Sequence, residues 1–306
     1  MTFDNKFKLS SDFLDSADGS EVISVIADSD FEDDNKKEYP TNLPLLPLRN
    51  TVLFPGVVFP ITVGRDKSIK LIEDAYKTDK IIGVVAQKDQ DIEDPSGKDL
   101  YKMGTLGLIL KMLKMPDGNI TVIIQGKRKF ELTGITQEEP YFRGDTNAIT
   151  DSKAAKGKET NATVDSIREL ASQIVEISPN IPSEANFALK NINSPNFLIN
   201  FISSNLNVSV DDKQEILELT TFKKKAHRVL GHLDKEIQIL ELKNKIQSKV
   251  KVDLDQQQKE YFLQQQIRAI QEELGHDSPD QEIESLRMRG QKKKWDKKVA
   301  KAFNKE

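Results

Sequence analysis

The chain contains one long stretch that is almost free of helix-breaking residues. Between Ser209 and Gly275 the sequence contains no proline and one glycine, Gly231. Proline and glycine are the least favourable residues inside a helix. The stretch therefore predicts one very long helix from Asp211 to Leu274, roughly 95 Å in length if unbroken. Such a helix exceeds what a chain of this size can cover, so we expect it to need partners.

Apolar residues along this predicted helix recur in alternating steps of three and four, a spacing typical of coiled coils. Beyond position 245 the pattern is less regular, and there Tyr261, Phe262 and Ile267 are candidates for contact with another helix or subunit. Packing within the chain's own bundle is the alternative interpretation of the same stripe. The regular part comprises Leu219, Phe222, Ala226, Val229, Leu233, Ile237 and Leu240.

Residues 40–150 show the pattern of strands joined by tight turns. About six apolar, β-rich runs and one short helix, Ser68–Lys77, fit this segment. The clearest hairpin has its turn at Lys114–Asn119, which contains Pro-Asp-Gly. The first run contains Pro44 and Pro47, which lack the N–H of a central strand, so we expect an edge strand or an extended segment. A small mainly β barrel or sandwich is predicted.

The rest of the chain divides by composition. Residues 151–162 are polar and predict a linker or exposed loop, and residues 163–210 predict a helical bundle that includes a helix at Pro195–Asn205 behind the capping residue Ser194. Residues 211–275 are predicted to form the long, coiled-coil-like helix. Residues 1–39 predict an acidic disordered tail, because the first 38 residues hold eleven acids and four lysines. Residues 276–306 predict a basic helical segment.

The sequence lacks the motifs typical of the common catalytic chemistries, and its many carboxylates are expected to form surface pairs with lysines. It has no cysteine, three histidines that are not spaced as metal ligands, and no glycine-rich phosphate loop. We therefore expect no catalytic, cofactor-binding or metal-binding residue in this chain, and we do not expect an enzyme. No apolar run approaches the ~20 residues of a membrane span, and the acidic amino terminus is unlike a signal peptide. A cytoplasmic protein without membrane contact is predicted.

Four stretches in this order resemble the amino-terminal region of the bacterial ATP-dependent Lon proteases. They are LPLLPLRNTVLFPGVVFPITVGRDKSI, IIGVVAQKD, DLYKMGTLGLILKMLKMPDGNITVIIQGKRKF and KEYFLQQQIRAIQEELG. The resemblance covers about Pro40 to Gly275. It implies an α+β fold in which a PUA-like, mainly β barrel module is followed by a helical bundle and a very long helix that connects to an ATPase ring.

The resemblance also implies a function. Lon proteases are hexamers that unfold misfolded or degron-bearing proteins with ATP and magnesium and cleave them with a serine and lysine dyad. The end at Glu306 precedes the position where the phosphate loop of that family would lie, so no ATPase or protease residue carries over. We expect this region to recognise substrates and organise the hexamer.

Substrate contact is predicted at the proline-bounded segment that carries Phe54, Pro55, Val57 and Phe59, because unfolded proteins expose apolar side chains. A core role for the same residues is the alternative. Two other functions also fit the sequence. The chain could be a scaffold or adaptor of β barrel and coiled coil, or its basic end, which includes Lys292, Lys293 and Lys294, could bind DNA.

Overall fold

The computed structural model describes residues 25–26, 39–116, 118–178, 181, 184–273, 279–293, 295–296 and 299. The chain divides into two compact units, Met1–Glu241 and Leu242–Glu306. The predicted acidic tail lies outside the described residues except at Val25, Ile26 and Tyr39. Leu274, Gly275 and Lys294 also lie outside them.

The first unit contains a mixed β-sheet. In the described part of residues 40–150 there are six strands, β2–β7, and one α-helix, α1 (Asp66–Lys77), as the sequence predicts. A further strand, β1, precedes them and pairs antiparallel with β3, so two residues of the predicted disordered tail have regular structure. The strands are β1 Val25–Ile26, β2 Asn42–Leu48, β3 Val57–Val63, β4 Ile81–Gln87, β5 Leu100–Lys114, β6 Ile120–Gln137 and β7 Arg143–Ile149.

The sheet closes on itself through the long strand β6. Its first half pairs with β3, its second half pairs with β7, and β5 pairs along most of its length. The order β6–β5–β4–β2–β7 then returns to β6. Five strands therefore form a ring, while β3 and β1 lie outside it, so the predicted barrel describes only part of the sheet.

The strand with two prolines is not at an edge, contrary to the sequence-based expectation. Residues 42–44 of β2 pair with β7, and residues 45–48 pair in parallel with β4. Because β2 exchanges one partner for another along its length, Pro44 and Pro47 lie in a strand with one registered neighbour at each position. A proline costs less there than it would in a strand paired continuously on both sides.

The predicted hairpin is confirmed as the connection between β5 and β6. The backbone N–H of Met115 donates to the carbonyl oxygen of Asn119 at 2.9 Å, and that of Gly118 donates to Met115 at 3.1 Å. Gly118 has a φ of 88°, a left-handed conformation that glycine adopts without strain.

Helix α1 lies between β3 and β4 along the chain, and the other α-helices follow β7. Helix α1 packs Leu71, Ile72 and Ala75 into an apolar cluster with strand residues such as Ile82 and Ile124. Ser194 accepts a hydrogen bond from the N–H of Phe197, as its predicted capping role requires. The helices are α1 Asp66–Lys77, α2 Lys158–Ile177, α3 Glu184–Asn191, α4 Pro195–Asn205, α5 Val210–Glu218, α6 Phe222–Glu273 and α7 Pro279–Gln291.

The single helix predicted from Asp211 to Leu274 is interrupted. Ser209 caps the short helix α5, and the chain leaves helical geometry at Leu219, where ψ is 128°. The 52-residue helix α6 begins three positions later, at Phe222, and continues through Gly231. Contacts from outside the helix stabilise the break: Ser152 Oγ accepts a hydrogen bond from the N–H of Phe222 at 3.0 Å, and the N–H of Ser152 donates to Thr220.

The regular apolar stripe of the long helix is buried within the first unit. Phe222, Ala226, Val229, Leu233 and Ile237 all belong to the apolar cluster formed with α2 to α5. The stripe therefore packs against helices of its own unit over this range, as the alternative interpretation of the sequence has it. In the described part of the chain no helix has both the length and the apolar character of a membrane span.

Candidate functional site

The turn between β2 and β3 lies at the interface between the sheet and the helices of the first unit. The N–H of Gly56 donates to the carbonyl oxygen of Gly126 at 2.7 Å, which ties the turn to β6. From the other side, Asn200 Nδ2 on α4 donates to the carbonyl oxygen of Pro55 at 3.0 Å. Sheet and helices are therefore joined by hydrogen bonds to the backbone of one short turn.

Most of the residues predicted to contact substrate are buried at this interface. Phe54 and Val57 are both 0% exposed and belong to the cluster that includes Phe197 and Leu198 of α4. Pro55 is also buried, whereas Phe59 is half-buried against the cluster under α1. The burial of Phe54, Pro55 and Val57 supports the core interpretation for these three, and substrate contact by the segment stays a prediction.

A buried ionic cluster forms the second link between sheet and helices. Asp151, which follows β7, pairs with Lys129 on β6 and with Lys225 on α6. The side chains of Lys129 and Lys225 are only 1% and 5% exposed. The predicted linker is therefore anchored at Asp151 and Ser152 rather than free, and helix α2 begins within its predicted range, at Lys158.

Lys129 also holds the end of a helix. Its Nζ donates to the carbonyl oxygens of Leu217 and Leu219 at 2.8 and 2.9 Å. These carbonyls lie at the carboxyl end of α5, where the last helical carbonyls lack partners and the helix dipole favours a cation. A lysine from the sheet therefore stabilises the break between α5 and α6.

Lys129 and Lys225 share the carboxylate of Asp151, and in this cluster the pKa of Lys225 is lowered. Burial, and secondly the charge of Lys129, lower the pKa of Lys225 to about 8, although Asp151 opposes the shift. Asn200 Oδ1 also accepts a hydrogen bond from Lys225 Nζ at 3.4 Å. Lys129 is therefore held by several acceptors, whereas Lys225 loses its proton at a moderately alkaline pH.

A third contact between sheet and helices involves the amino-terminal part of α5. Tyr101 on β5 donates its hydroxyl hydrogen bond to Asp211, and Gln214 Nε2 donates to the carbonyl oxygen of Met103 at 2.9 Å. Burial, followed by the hydrogen bond to Asp211, raises the pKa of Tyr101 to about 12. Helix α5 is thus joined to the sheet near both of its ends, by these contacts and by those of Lys129.

A cleft of about 550 Å³ opens beside the ionic cluster, between the β6–β7 end of the sheet and helices α2 and α4. Five basic residues and one acid line it. Lys127 and Arg128 are half-buried, and Lys153 and Lys156 are exposed. The lining comprises Pro55, Lys127, Arg128, Lys129, Ile149, Thr150, Asp151, Lys153, Ala154, Ala155, Lys156, Thr160, Asn161, Ser194, Pro195, Asn196 and Asn200.

Sequence reasoning missed this cleft, because its basic residues come from two segments that are distant along the chain. Lys127 and Arg128 lie on β6, within the KRKF run, and Lys153 and Lys156 lie in the segment predicted to be a linker. Both segments are rich in basic residues, but nothing in their spacing shows that the two segments meet. In the described residues, no group of three or more acidic, histidine or cysteine side chains could hold a metal ion.

In the second unit, helix α6 carries a set of exposed apolar side chains. Tyr261, Phe262 and Ile267, the predicted helix contacts, are 65%, 62% and 55% exposed. They are therefore accessible for the contact predicted with another chain, which stays a prediction. Others on the same helix are Leu242, Ile246, Val250, Val252, Leu254, Leu263 and Ile270.

A family comparison and a comparison with individual proteins both find similarity to Lon proteases. Residues 42–235 match the family described as the ATP-dependent protease La (LON) substrate-binding domain. The chain is 53% identical over 288 residues to a protein named Lon protease from Flavobacterium johnsoniae, and 46% identical over 287 residues to one from Cytophaga hutchinsonii. Each alignment covers 94% of this chain and 35% of the relative, so the chain spans about a third of these proteins.

A solved structure shares the fold. The N-terminal domain of a Lon protease from the Mycobacterium avium complex superposes with a TM-score of 0.52 at 15% sequence identity. The superposition covers 63% of this chain and 98% of that one.

Proposed function

The chain belongs to the family of Lon substrate-binding domains, and from this premise we propose that it binds polypeptides destined for degradation by an ATP-dependent protease. The observation that carries the proposal is the family match over residues 42–235, which includes the ring of strands, the helices packed on it and the first part of α6. Binding, rather than cleavage, is the role proposed for this region.

The activity proposed for the whole protein follows from the relatives. These are named Lon protease and are about three times as long as this chain. We propose that the complete protein is an ATP-dependent serine protease of the cytoplasm, with ATP and magnesium bound in regions other than this one. Misfolded and degron-bearing proteins are the proposed substrates.

We further propose that the β portion corresponds to a PUA-like module. The closure of β6–β5–β4–β2–β7 on β6 supports this interpretation, since a closed ring of five strands is the arrangement of a small barrel. Helix α6 would then connect this module to the ATPase ring of the parent protein. Its first part is anchored in the apolar cluster of the first unit through Phe222 and Ala226.

Apolar contact with unfolded chains is proposed at the half-buried edge of β3. Among the four residues predicted from sequence, Phe59 is the one that a substrate can reach without disturbing the buried cluster. Unfolded proteins expose apolar side chains that folded proteins bury, so a site that binds apolar side chains prefers unfolded proteins. If several copies of the chain are held in one assembly, their weak contacts with one substrate together give tighter binding than a single copy, because each further contact is intramolecular.

Self-association is proposed through the exposed side chains of α6 in the second unit. A row of exposed apolar residues on a helix is costly to hydrate and is typically covered by another helix. Tyr261, Phe262 and Ile267 are the proposed contacts, and a hexamer is the proposed assembly of the parent protein. Contact of the basic carboxyl-terminal segment with DNA stays a prediction from the sequence.

Fluorescence anisotropy tests the proposed binding. A labelled protein that stays permanently unfolded is titrated with residues 1–306, beside the same protein in its folded form. We expect binding of the unfolded form alone, and weaker binding by Phe59→Ala with an unchanged far-UV dichroism spectrum. Equal binding of both forms, or no binding at tens of micromolar, would contradict an autonomous substrate-binding region.

A further inference from the structure

The cleft beside the ionic cluster is strongly basic. It is lined by Lys127, Arg128, Lys129, Lys153 and Lys156 against the single carboxylate of Asp151. A concave surface with one sign of charge attracts ligands of the opposite sign more strongly than the same charges on a flat surface.

The carboxylate in the cleft offsets the charge of the buried Lys129 and leaves the other four basic residues uncompensated by an acid of the lining. Asp151 is already paired with Lys129 and with Lys225, a buried residue that does not itself line the cleft. The ionic cluster therefore contributes no net negative charge to the cleft. The basic residues at its rim, Lys153 and Lys156, are exposed and in direct reach of a ligand.

The shape and lining of the cleft favour a polypeptide over a nucleic acid. Single-stranded nucleic acids are usually held by aromatic side chains on which the bases stack. No aromatic residue is among the residues that line this cleft, whereas Pro55, Ile149 and Pro195 supply small apolar surfaces and Asn161 and Asn196 supply amides. Its volume of about 550 Å³ is within the range of pockets for small ligands and short peptide segments.

We propose that this cleft binds acidic segments of polypeptide substrates, with the exposed Lys153 and Lys156 contacting Asp and Glu carboxylates. The inference rests on the proposed function and adds a class of sequence to it, since apolar recognition alone does not distinguish one unfolded chain from another. The ionic cluster and the turn at Pro55 hold the two sides of the cleft in place, because they join the sheet to α4 and α6.

The test uses residues 1–306 and two labelled peptides that differ only in charge. One contains four Glu residues between Gly and Ser, and the other has Gln in place of each Glu. The cleft variant is Lys153→Gln with Lys156→Gln, and its matched control is Lys102→Gln with Lys111→Gln. The control positions are exposed residues of β5 outside the cleft, so both variants change the net charge equally.

We expect the wild type and the control to bind the Glu peptide more tightly than the Gln peptide, with an affinity that falls as salt is added. The cleft variant should bind the Glu peptide about fivefold more weakly, the loss expected for two partly screened ion pairs. Replacing both residues by Glu should abolish the preference for the acidic peptide.

Three outcomes would overturn the proposal. They are equal affinity for both peptides, equal losses in the cleft and control variants, or tighter binding of a single-stranded oligonucleotide that is lost in the cleft variant. Each leaves the proposed function standing if the wild type still binds the permanently unfolded protein. Failure to bind that protein would instead contradict the proposed function itself.

Discussion

Gly126 on β6 lies so close to Phe54 that a β-carbon at position 126 would come within 2.2 Å of the carbonyl oxygen of Phe54. The same turn donates the N–H of Gly56 to the carbonyl oxygen of Gly126. The turn that carries the buried Phe54 is therefore pressed directly onto the sheet, and only glycine leaves room for it.

Replacing Gly126 by alanine should strongly destabilise the first unit. The clash is with backbone atoms, which cannot move aside as the end of a side chain can, so we expect a loss of about 2–4 kcal/mol in the free energy of unfolding. Urea denaturation followed by circular dichroism measures this loss.

Gly134 on the same strand provides the matched control, because a β-carbon there would meet no atom within 4 Å. Gly134→Ala should change the free energy of unfolding by less than about 1 kcal/mol. Similar losses in the two variants would show that the close approach at Phe54 does not determine the effect.

Ser152 caps helix α6 from outside the helix, and removing its hydroxyl should weaken the start of that helix. We expect Ser152→Ala to lower the free energy of unfolding by about 1 kcal/mol, because the N–H of Phe222 loses its acceptor. Ser152→Thr keeps a hydroxyl acceptor and should retain most of the stability. An alanine variant as stable as the threonine variant would contradict the capping role.

Stability should rise with pH on the alkaline side of neutral because of Lys225. Burial lowers its pKa to about 8, while in the unfolded chain the pKa is near 10.4. Between these values the unfolded state holds a proton that the folded state has released, so the free energy of unfolding increases with pH, by at most about 1.4 kcal/mol per unit.

Urea denaturation at several values between pH 7.5 and 9.5 tests this dependence. The variant Lys225→Met removes the titrating group while Lys129 still pairs with Asp151. Its stability should therefore rise less steeply with pH than that of the wild type. Parallel curves for the two proteins would mean that Lys225 keeps an ordinary pKa.

The exposed side chains of α6 should determine self-association. We expect the triple variant Tyr261→Ser, Phe262→Ser, Ile267→Ser to shift the sedimentation distribution toward smaller species. The matched control is Gln257→Ser, Gln258→Ser, Gln264→Ser, which places the same residue at three exposed polar positions of the same helix. If the two triple variants sediment alike, the apolar side chains are not the contact.

The sequence predicted those features of secondary structure that depend on residues close together along the chain. The Pro-Asp-Gly turn, the caps at Ser194 and Ser209, and the strand and helix content of residues 40–150 depend on neighbouring residues. The break after α5 could not be predicted in this way, because Lys129 and Ser152 stabilise it from positions far away along the chain.

The candidate site was harder to predict than the fold. Apolar content suggested substrate contact for Phe54 and Val57, but the structure buries both between the sheet and α4. Apolar side chains fit a core and a binding surface equally well, and only the tertiary arrangement distinguishes the two. The basic cleft arises from the meeting of β6 with the segment after β7, which no sequence spacing encodes.

The family-matched part of the chain is proposed to bind polypeptide substrates. Amide hydrogen exchange of residues 1–306, measured with and without a saturating, permanently unfolded protein, shows which residues a bound substrate protects. We predict slower exchange within residues 42–235, including the segments beside Phe59 and around the basic cleft. Unchanged exchange throughout residues 42–235 despite demonstrated binding, with protection confined to other parts of the chain, would contradict it.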